Sequence, residues 1–288
     1  MISGADEKVL RVFAAPDQFY SRAQLNINVS APAAAQLPAL GLSNKLLNST
    51  DEGYNSAFTP STPFPLEREL TKQSLWPEVD KLYAHNRELS CLAVNQIGTW
   101  MASAAKGTKA SDAAVCLWKR IEGAWKLHET LELHNLTVTK MAFSSKNRLL
   151  ITSRDRSISV LQFDETGVGV HMKGFEAHSR QIWAASWINA TSFITGGREG
   201  LLKWWRFLQD DSIECTKQVQ FESGVTALAV NENGIIAVGD ERGVVQVSAA
   251  ADDSFSNVIT CADAITDLKW NADMLAVASA DHSIRVLQ

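Results

Sequence analysis

Three residue sets in this chain have the types and spacing to do chemistry. The first pairs histidines with acids: His85, His134 and His178 recur at similar intervals, and Asp112, Asp155 and Glu199 follow them in turn. Imidazole–carboxylate couples can act as general bases, activate nucleophiles or hold metals. The second set is basic: Arg154, Arg156, Arg180 and Arg198, extended by Arg87, Lys106, Lys109 and Arg242. Guanidinium forks grip phosphate or carboxylate through paired hydrogen bonds. The third set is aromatic. Trp183, Trp187, Trp204 and Trp205 belong to a chain with nine tryptophans, and an exposed indole is a platform for a nucleic-acid base. No GxSxG, HExxH, phosphate-binding loop or GxGxxG before a helix occurs. Gly167-Val-Gly169 lies in a turn between repeats and cradles nothing.

The elements that must position these residues form a repeat. Thr152-Ser-Arg-Asp-Arg-Ser-Ile-Ser-Val-Leu161 matches Ala278-Ser-Ala-Asp-His-Ser-Ile-Arg-Val-Leu287. The pattern returns as Gly196-Gly-Arg-Glu-Gly-Leu-Leu-Lys-Trp-Trp205 and Val238-Gly-Asp-Glu-Arg-Gly-Val-Val-Gln-Val247, and more loosely around Asp112. The acidic turn residue steps through Asp112, Asp155, Glu199, Glu241 and Asp281 at intervals of 40 to 44 residues. Strand-type alternation at this period is the signature of four-stranded propeller blades. No repeat contains a helical stretch long enough for a solenoid of helices. The fold class is therefore all-β: an incomplete WD40-type β-propeller with about five full blades, a half blade at 1–13, and a long insertion within one blade. Because the last strand stops at Gln288 and the chain starts mid-blade, the expectation is a fragment of a longer protein and not a ring that closes alone.

The histidines resemble those of the WD-repeat family. Each sits nine residues before a core residue of the next strand (Val94, Phe143, Trp187). The resemblance implies that His85, His134 and His178 hydrogen-bond Asp112, Asp155 and Glu199 as structural locks. As one copy occurs per blade, the copies lie too far apart to share a metal, so no metal and no cofactor is expected. A closing Trp appears only as Trp118 and Trp205.

Between 14 and 74 the rhythm vanishes, and this stretch holds six of the seven prolines. It reads as an insertion loop, partly disordered, before blades over 75–288. Two islands look ordered, the LPALGLSNK run at 37–45 and the LWPEVDKLY run at 75–83; such an island either packs back on its own blade, the role expected of Trp76, or docks on a partner. These islands, with Gly4-Ala-Asp-Glu-Lys8, the run on to His85, and Ser153-Arg-Asp-Arg156, resemble the second propeller of the Elongator complex subunit 2 family, in order along nearly the whole chain. Ala84 and Asn86 depart from the glycines usual there. The resemblance implies a non-catalytic WD-repeat scaffold tying the largest subunit to the catalytic subunit of an Elongator-type complex that modifies wobble uridines of tRNA. A generic WD-repeat adaptor, such as a ubiquitin-ligase substrate receptor, is the competing reading.

Propeller geometry puts the turn after each second strand and the loop entering each first strand on one face. Arg154, Arg156, Arg180 and Arg198 are thus expected together on two neighbouring blades, with Arg87, Lys106, Lys109 and Arg242 around the same rim, to bind a protein partner or tRNA. Solvated turn arginines are the plain alternative. Of the tryptophans, alternation sends one of each adjacent pair inward, which leaves Trp204 as the candidate for exposure. Net charge is −5, against wholesale wrapping of nucleic acid or membrane. Cys91, Cys116, Cys215 and Cys261 lack CxxC spacing and read as reduced packing residues of an intracellular protein, with neither a disulfide frame nor a zinc site. The expected location is the cytoplasm, with the nucleus as a second compartment; no membrane and no small-molecule substrate is expected.

Overall fold

The computed structural model describes residues 1–16, 19–20, 34–36, 45–47, 76–164, 167–210, 212–249 and 254–288. They fall into two compact units, Met1–Ala84 and His85–Gln288. In the first, β1 (Ile2–Ser3), β2 (Val9–Phe13) and β5 (Glu78–Tyr83) make an antiparallel sheet with β2 in the middle, while β3 (Ala34–Gln36) and β4 (Lys45–Leu47) pair separately. The strands on either side of 14–74 therefore pair directly, with Leu10 opposite Leu82 and both buried. The mobile middle expected for that insertion, and most of the 37–45 island, lie outside the described residues.

The second unit is a succession of antiparallel sheets, each wound in chain order. The first holds β6 (Leu89–Val94), β7 (Trp100–Ala105), β8 (Val115–Ile121) and β9 (Ala124–Leu131). The second holds β10 (Val138–Phe143), β11 (Arg148–Ser153), β12 (Ser157–Phe163) and β13 (Val168–Glu176). The third holds β14 (Ile182–Trp187), β15 (Ser192–Gly197), β16 (Leu201–Phe207) and β17 (Ile213–Gln220). The fourth holds β18 (Val225–Val230), β19 (Ile235–Asp240), β20 (Val244–Ala249) and β21 (Ser256–Thr260). The fifth has three strands, β22 (Ile265–Asn271), β23 (Met274–Ser279) and β24 (Ile284–Leu287). With the sheet of the first unit, the described residues thus hold six antiparallel sheets of three or four strands, as the repeat implied.

Sheets stack face to face, so alternate residues of one strand enter different cores. On β11, Leu149 and Ile151 join Trp100, Leu117 and Val138 between the first and second sheets, while Leu150 joins Ile158, Phe193 and Trp205 between the second and third. Each such aliphatic side chain contributes about 1.5–3 kcal/mol by leaving water. The first strands β6, β10, β14, β18 and β22 are successive neighbours on the inner side. Lys140 of β10 reaches Asp267 of β22, with Nζ 3.0 Å from Oδ1, so these strands face a common axis.

The turn between the second and third strands fixes the register of each sheet. One residue there is left-handed: Arg156 (φ 74°), Gly200 (φ 80°), Gly243 (φ 85°) and His282 (φ 65°). Gly200 has a second reason to be glycine, since a Cβ would stand 2.7 Å from the Phe221 carbonyl oxygen. Aligning these residues corrects one expectation. Arg242, and not Glu241, occupies the position of Asp155 and Glu199, and the acid that orders the fourth turn is Asp240, whose carboxylate accepts from the backbone N–H of Arg242 (3.0 Å) and Val244 (2.8 Å).

Candidate docking edge

Each second-to-third-strand turn donates a backbone hydrogen bond to the loop that leads into the first strand of its own sheet. The donors are Lys106 to Glu88 (2.7 Å), Arg154 to Thr137 (3.0 Å), Arg198 to Gln181 (2.9 Å), Glu241 to Gly224 (3.0 Å) and Ala280 to Ala264 (2.8 Å). The same turns are tied to the next sheet, for example by Ala177 and His178 N–H groups to the Arg156 carbonyl at 3.1 and 3.2 Å. Turns and leading loops therefore build one continuous edge of the second unit. Arg154, Arg156, Arg180 and Arg198 all lie along it on the second and third sheets, and all are exposed.

Charge is unevenly spread along that edge. The repeated turn position is basic in the first three sheets (Lys106, Arg154, Arg198), acidic in the fourth (Glu241) and neutral in the fifth (Ala280). Several of the basic residues are matched locally. Arg87 lies 3.2 Å from Asp112, Lys106 3.4 Å from Glu88, Arg156 3.3 Å from Glu176 and Arg242 3.3 Å from Glu222. Among the described residues Arg154 and Arg180 face no such acid, and the Arg198 guanidinium instead stands 5.4 Å from the ring centre of Trp183. A cavity of about 380 Å³ opens beside Arg154 and Arg156, bounded also by Asn135, Asp155 and Glu176.

Beneath the edge, the histidines are held in polar relays. In the third sheet His178 Nδ1 is 2.7 Å from Glu199 Oε1, its Nε2 is 2.7 Å from Thr195 Oγ1, and the Trp205 indole N–H donates to that same hydroxyl at 2.8 Å. In the second sheet His134 Nδ1 lies 3.1 Å from Asp155 Oδ2 and 3.0 Å from Ser157 Oγ, but Ile151 and Leu161 stand where Thr195 and Trp205 would be, and the buried His134 Nε2 has no hydrogen-bond partner. In the first sheet His85 Nε2 is 2.8 Å from Ser103 Oγ, which also accepts from Trp118 at 2.9 Å, and His85 Nδ1 lies 3.9 Å from Cys116 Sγ. Asp112, the acid expected for His85, makes its ion pair with Arg87. The turn is longer here, with Asp112 N–H bonded back to the Lys109 carbonyl at 3.1 Å, which carries the acid toward Arg87.

Burial shapes the titration of these groups. Burial pushes His85 down to about 4, and His178 is lowered for the same reason despite the opposing pull of Glu199. Burial raises Asp155, but hydrogen bonds with His134 and Ser157 outweigh it and hold the carboxyl well below the usual carboxylate range. Burial thus favours the neutral imidazole at His85 and His178 at pH 7. Among the described residues no three His, Cys, Asp or Glu side chains converge as a metal site, and all four cysteines are free thiols.

Comparison with known proteins agrees with this geometry. A family model described as "WD domain, G-beta repeat" matches residues 76–119 and 125–161. The crystal structure of the WD40 β-propeller domain of Doa1 superposes with a TM-score of 0.58 at 22% identity, covering 72% of this chain and 65% of that one. This chain is a WD40-repeat protein. Along most of its length it is similar to Elongator complex protein 2: 36% identical to that of Homo sapiens over 84% of this chain, 35% to that of Arabidopsis thaliana over 86%, and 30% to that of Saccharomyces cerevisiae over 99%. The chain covers 36%, 34% and 42% of those relatives, so it spans little more than a third of their length.

Two further placements revise or extend the WD40 reading. Trp204, expected to be exposed, is buried between the third and fourth sheets with Leu202, Val225 and Ile236, and the Lys217 ammonium lies 4.5 Å over its ring. The expectation failed because both faces of a stacked sheet are covered, so alternation chooses between two cores instead of between core and solvent. Trp76 packs edge-on against Phe19 at 4.8 Å. The relay hydroxyls Ser103 and Thr195 went unnoticed, although the sequence carried a signal: a hydroxyl stands in the second strand of the same repeats that keep a closing Trp.

Proposed function

We propose that this chain is a non-catalytic WD40 scaffold of an Elongator-type complex, acting in tRNA wobble-uridine modification. What supports the reading is the similarity to Elongator complex protein 2 over 84–99% of the chain, from fungi to plants and animals. The exposed edge offers the means. Arg154, Arg156, Arg180 and Arg198 sit on loops braced by backbone hydrogen bonds and buried histidines, so their forks are presented with little ordering cost on binding. Its partners are the largest and the catalytic Elongator subunits, with tRNA as a further charged contact, and its place is the cytoplasm and the nucleus. The chain holds; the catalytic subunit reacts.

Affinity capture of the tagged chain from cells tests this. The wild-type chain is expected to bring down the largest and the catalytic subunits. The quadruple charge reversal of Arg154, Arg156, Arg180 and Arg198 to Glu is expected to lose them while keeping its circular dichroism and melting transition. Undiminished capture by the folded variant overturns the edge assignment. Capture of ubiquitin-ligase components in place of Elongator subunits favours a generic WD-repeat adaptor.

A further inference from the structure

The first strand of every sheet in the second unit carries a bulge at its second residue. The register shifts between Leu89 and Cys91, Val138 and Lys140, Ile182 and Ala184, Val225 and Ala227, and Ile265 and Asp267. The skipped residues are Ser90, Thr139, Trp183, Thr226 and Thr266. Four are small hydroxyls, and two of these stitch neighbouring sheets: Thr139 Oγ1 donates to the Ile182 carbonyl and Thr226 Oγ1 to the Ile265 carbonyl, both at 2.6 Å. Trp183 breaks the rule. An indole cannot make that stitch, so the third sheet forgoes a bond its neighbours keep.

Nor does Trp183 contribute to a core. Of the three tryptophans on first strands, Trp187 and Trp270 pack into the inter-sheet clusters, and Trp187 also donates to the Ala142 carbonyl at 2.8 Å. Trp183 belongs to no cluster and is only partly buried. It lies where the basic edge meets the axis, beside Gln181, whose carbonyl accepts from Arg198, and one residue from Ile182, whose carbonyl accepts from Thr139. The Arg198 guanidinium stands by its ring, and Arg180, with no acid partner among the described residues, is three residues earlier in the loop that leads into this strand.

We propose that Trp183 and Arg198 form a stacking platform for an unpaired nucleotide of RNA, whose flanking phosphates are taken by Arg180 and Arg154. The inference rests on the docking-edge reading and gives that edge a ligand class. A nucleotide uses both halves of the site: its base has a π-face for the indole, and its phosphodiester has the geometry of a guanidinium fork. An acidic peptide satisfies the arginines but leaves the open part of the indole without a use. A duplex hides its bases, so single-stranded or looped RNA is the form that fits.

The experiment measures binding of fluorescein-labelled decauridine by anisotropy, beside a blunt RNA duplex of matched length and a deca-glutamate peptide. Trp183→Thr installs the residue that three other sheets carry at this bulge, and is therefore expected to fold. It should lose about tenfold in affinity for decauridine, within what removing a stacking aromatic costs. Trp183→Phe should stay within about threefold of wild type, and the weaker duplex binding should not respond to Trp183→Thr. Unchanged decauridine affinity in Trp183→Thr overturns the platform. So does deca-glutamate binding that matches decauridine and falls equally in Trp183→Thr, since the partner is then an acidic protein segment. If Arg154→Glu with Arg180→Glu changes binding of neither probe, the docking edge itself falls, which separates the two failures.

Discussion

In the third sheet an unbroken run of hydrogen bonds crosses from the turn to the far strand, through Glu199, His178, Thr195 and Trp205; in the second sheet the run stops at His134. Both histidine side chains are fully buried, and both hold a carboxylate at the same corner. They differ in what lies behind the imidazole. Thr195 and Trp205 in one sheet become Ile151 and Leu161 in the other, so a polar pair is replaced by an apolar pair at matched positions. The hydroxyl and the indole N–H satisfy each other, and keeping only one of them would orphan a buried polar group at a cost of about 1–3 kcal/mol. The second sheet leaves one buried ring nitrogen, His134 Nε2, without a partner and packs Ile151 and Leu161 in a core instead.

The largest expected effect tests that difference directly. Thr195→Val keeps shape but unpairs His178 Nε2 and the Trp205 N–H, and should lower unfolding free energy by roughly 3 kcal/mol. Ile151→Val at the matched position should cost only about 1 kcal/mol. Equal shifts in urea midpoint would mean the relay adds nothing beyond packing. Next come the turns. Gly200→Ala forces a side chain into a left-handed residue already close to the Phe221 carbonyl and should cost about 2 kcal/mol, whereas Arg156→Gly relieves the same conformation in the second sheet and should gain about 1 kcal/mol. Paired thermal melts check both signs.

Acid should weaken the fold through the braces. His85 is held near 4 when folded and titrates near 6.5 when unfolded, so between those values only the unfolded chain takes up the proton. Stability is therefore expected to fall as pH drops from about 6.5 toward 4, and His85→Gln should flatten that slope. His178, also lowered, adds in the same direction. Asp155, held low, gives support that is lost only below the ordinary carboxylate range. Urea titrations across this range, with and without His85→Gln, decide the matter. Least of all should be Glu176→Ala, which removes the exposed partner of Arg156 and should change stability by under about 1 kcal/mol.

The repeat was legible in the sequence because four of the five turns need a left-handed residue beside a hydrogen-bonding acid, and those types recur at a fixed period. The fourth turn misled because Asp240 and Glu241 are adjacent acids; Gly243, the residue whose backbone demands it, is the better marker of register. The basic edge was readable because turn and leading loop emerge together in every sheet. Its charge matching was not: Arg156 with Glu176 and Arg242 with Glu222 depend on side chains twenty residues apart that only the paired strands bring together. The bulge at Trp183 was equally hidden: it breaks the alternation, sending Ile182 and Ala185 into one core and Ala184 into the other, but both faces of this strand are covered, so the shift leaves no polar mark in the sequence.

The contact between Lys140 and Asp267 joins sheets that have two others between them. It works like a spoke across a hub: a displacement of the second sheet is felt by the fifth without being relayed through the third and fourth. Both ends are partly open to solvent, so the spoke is worth at most about 1 kcal/mol and weakens as dissolved ions screen it.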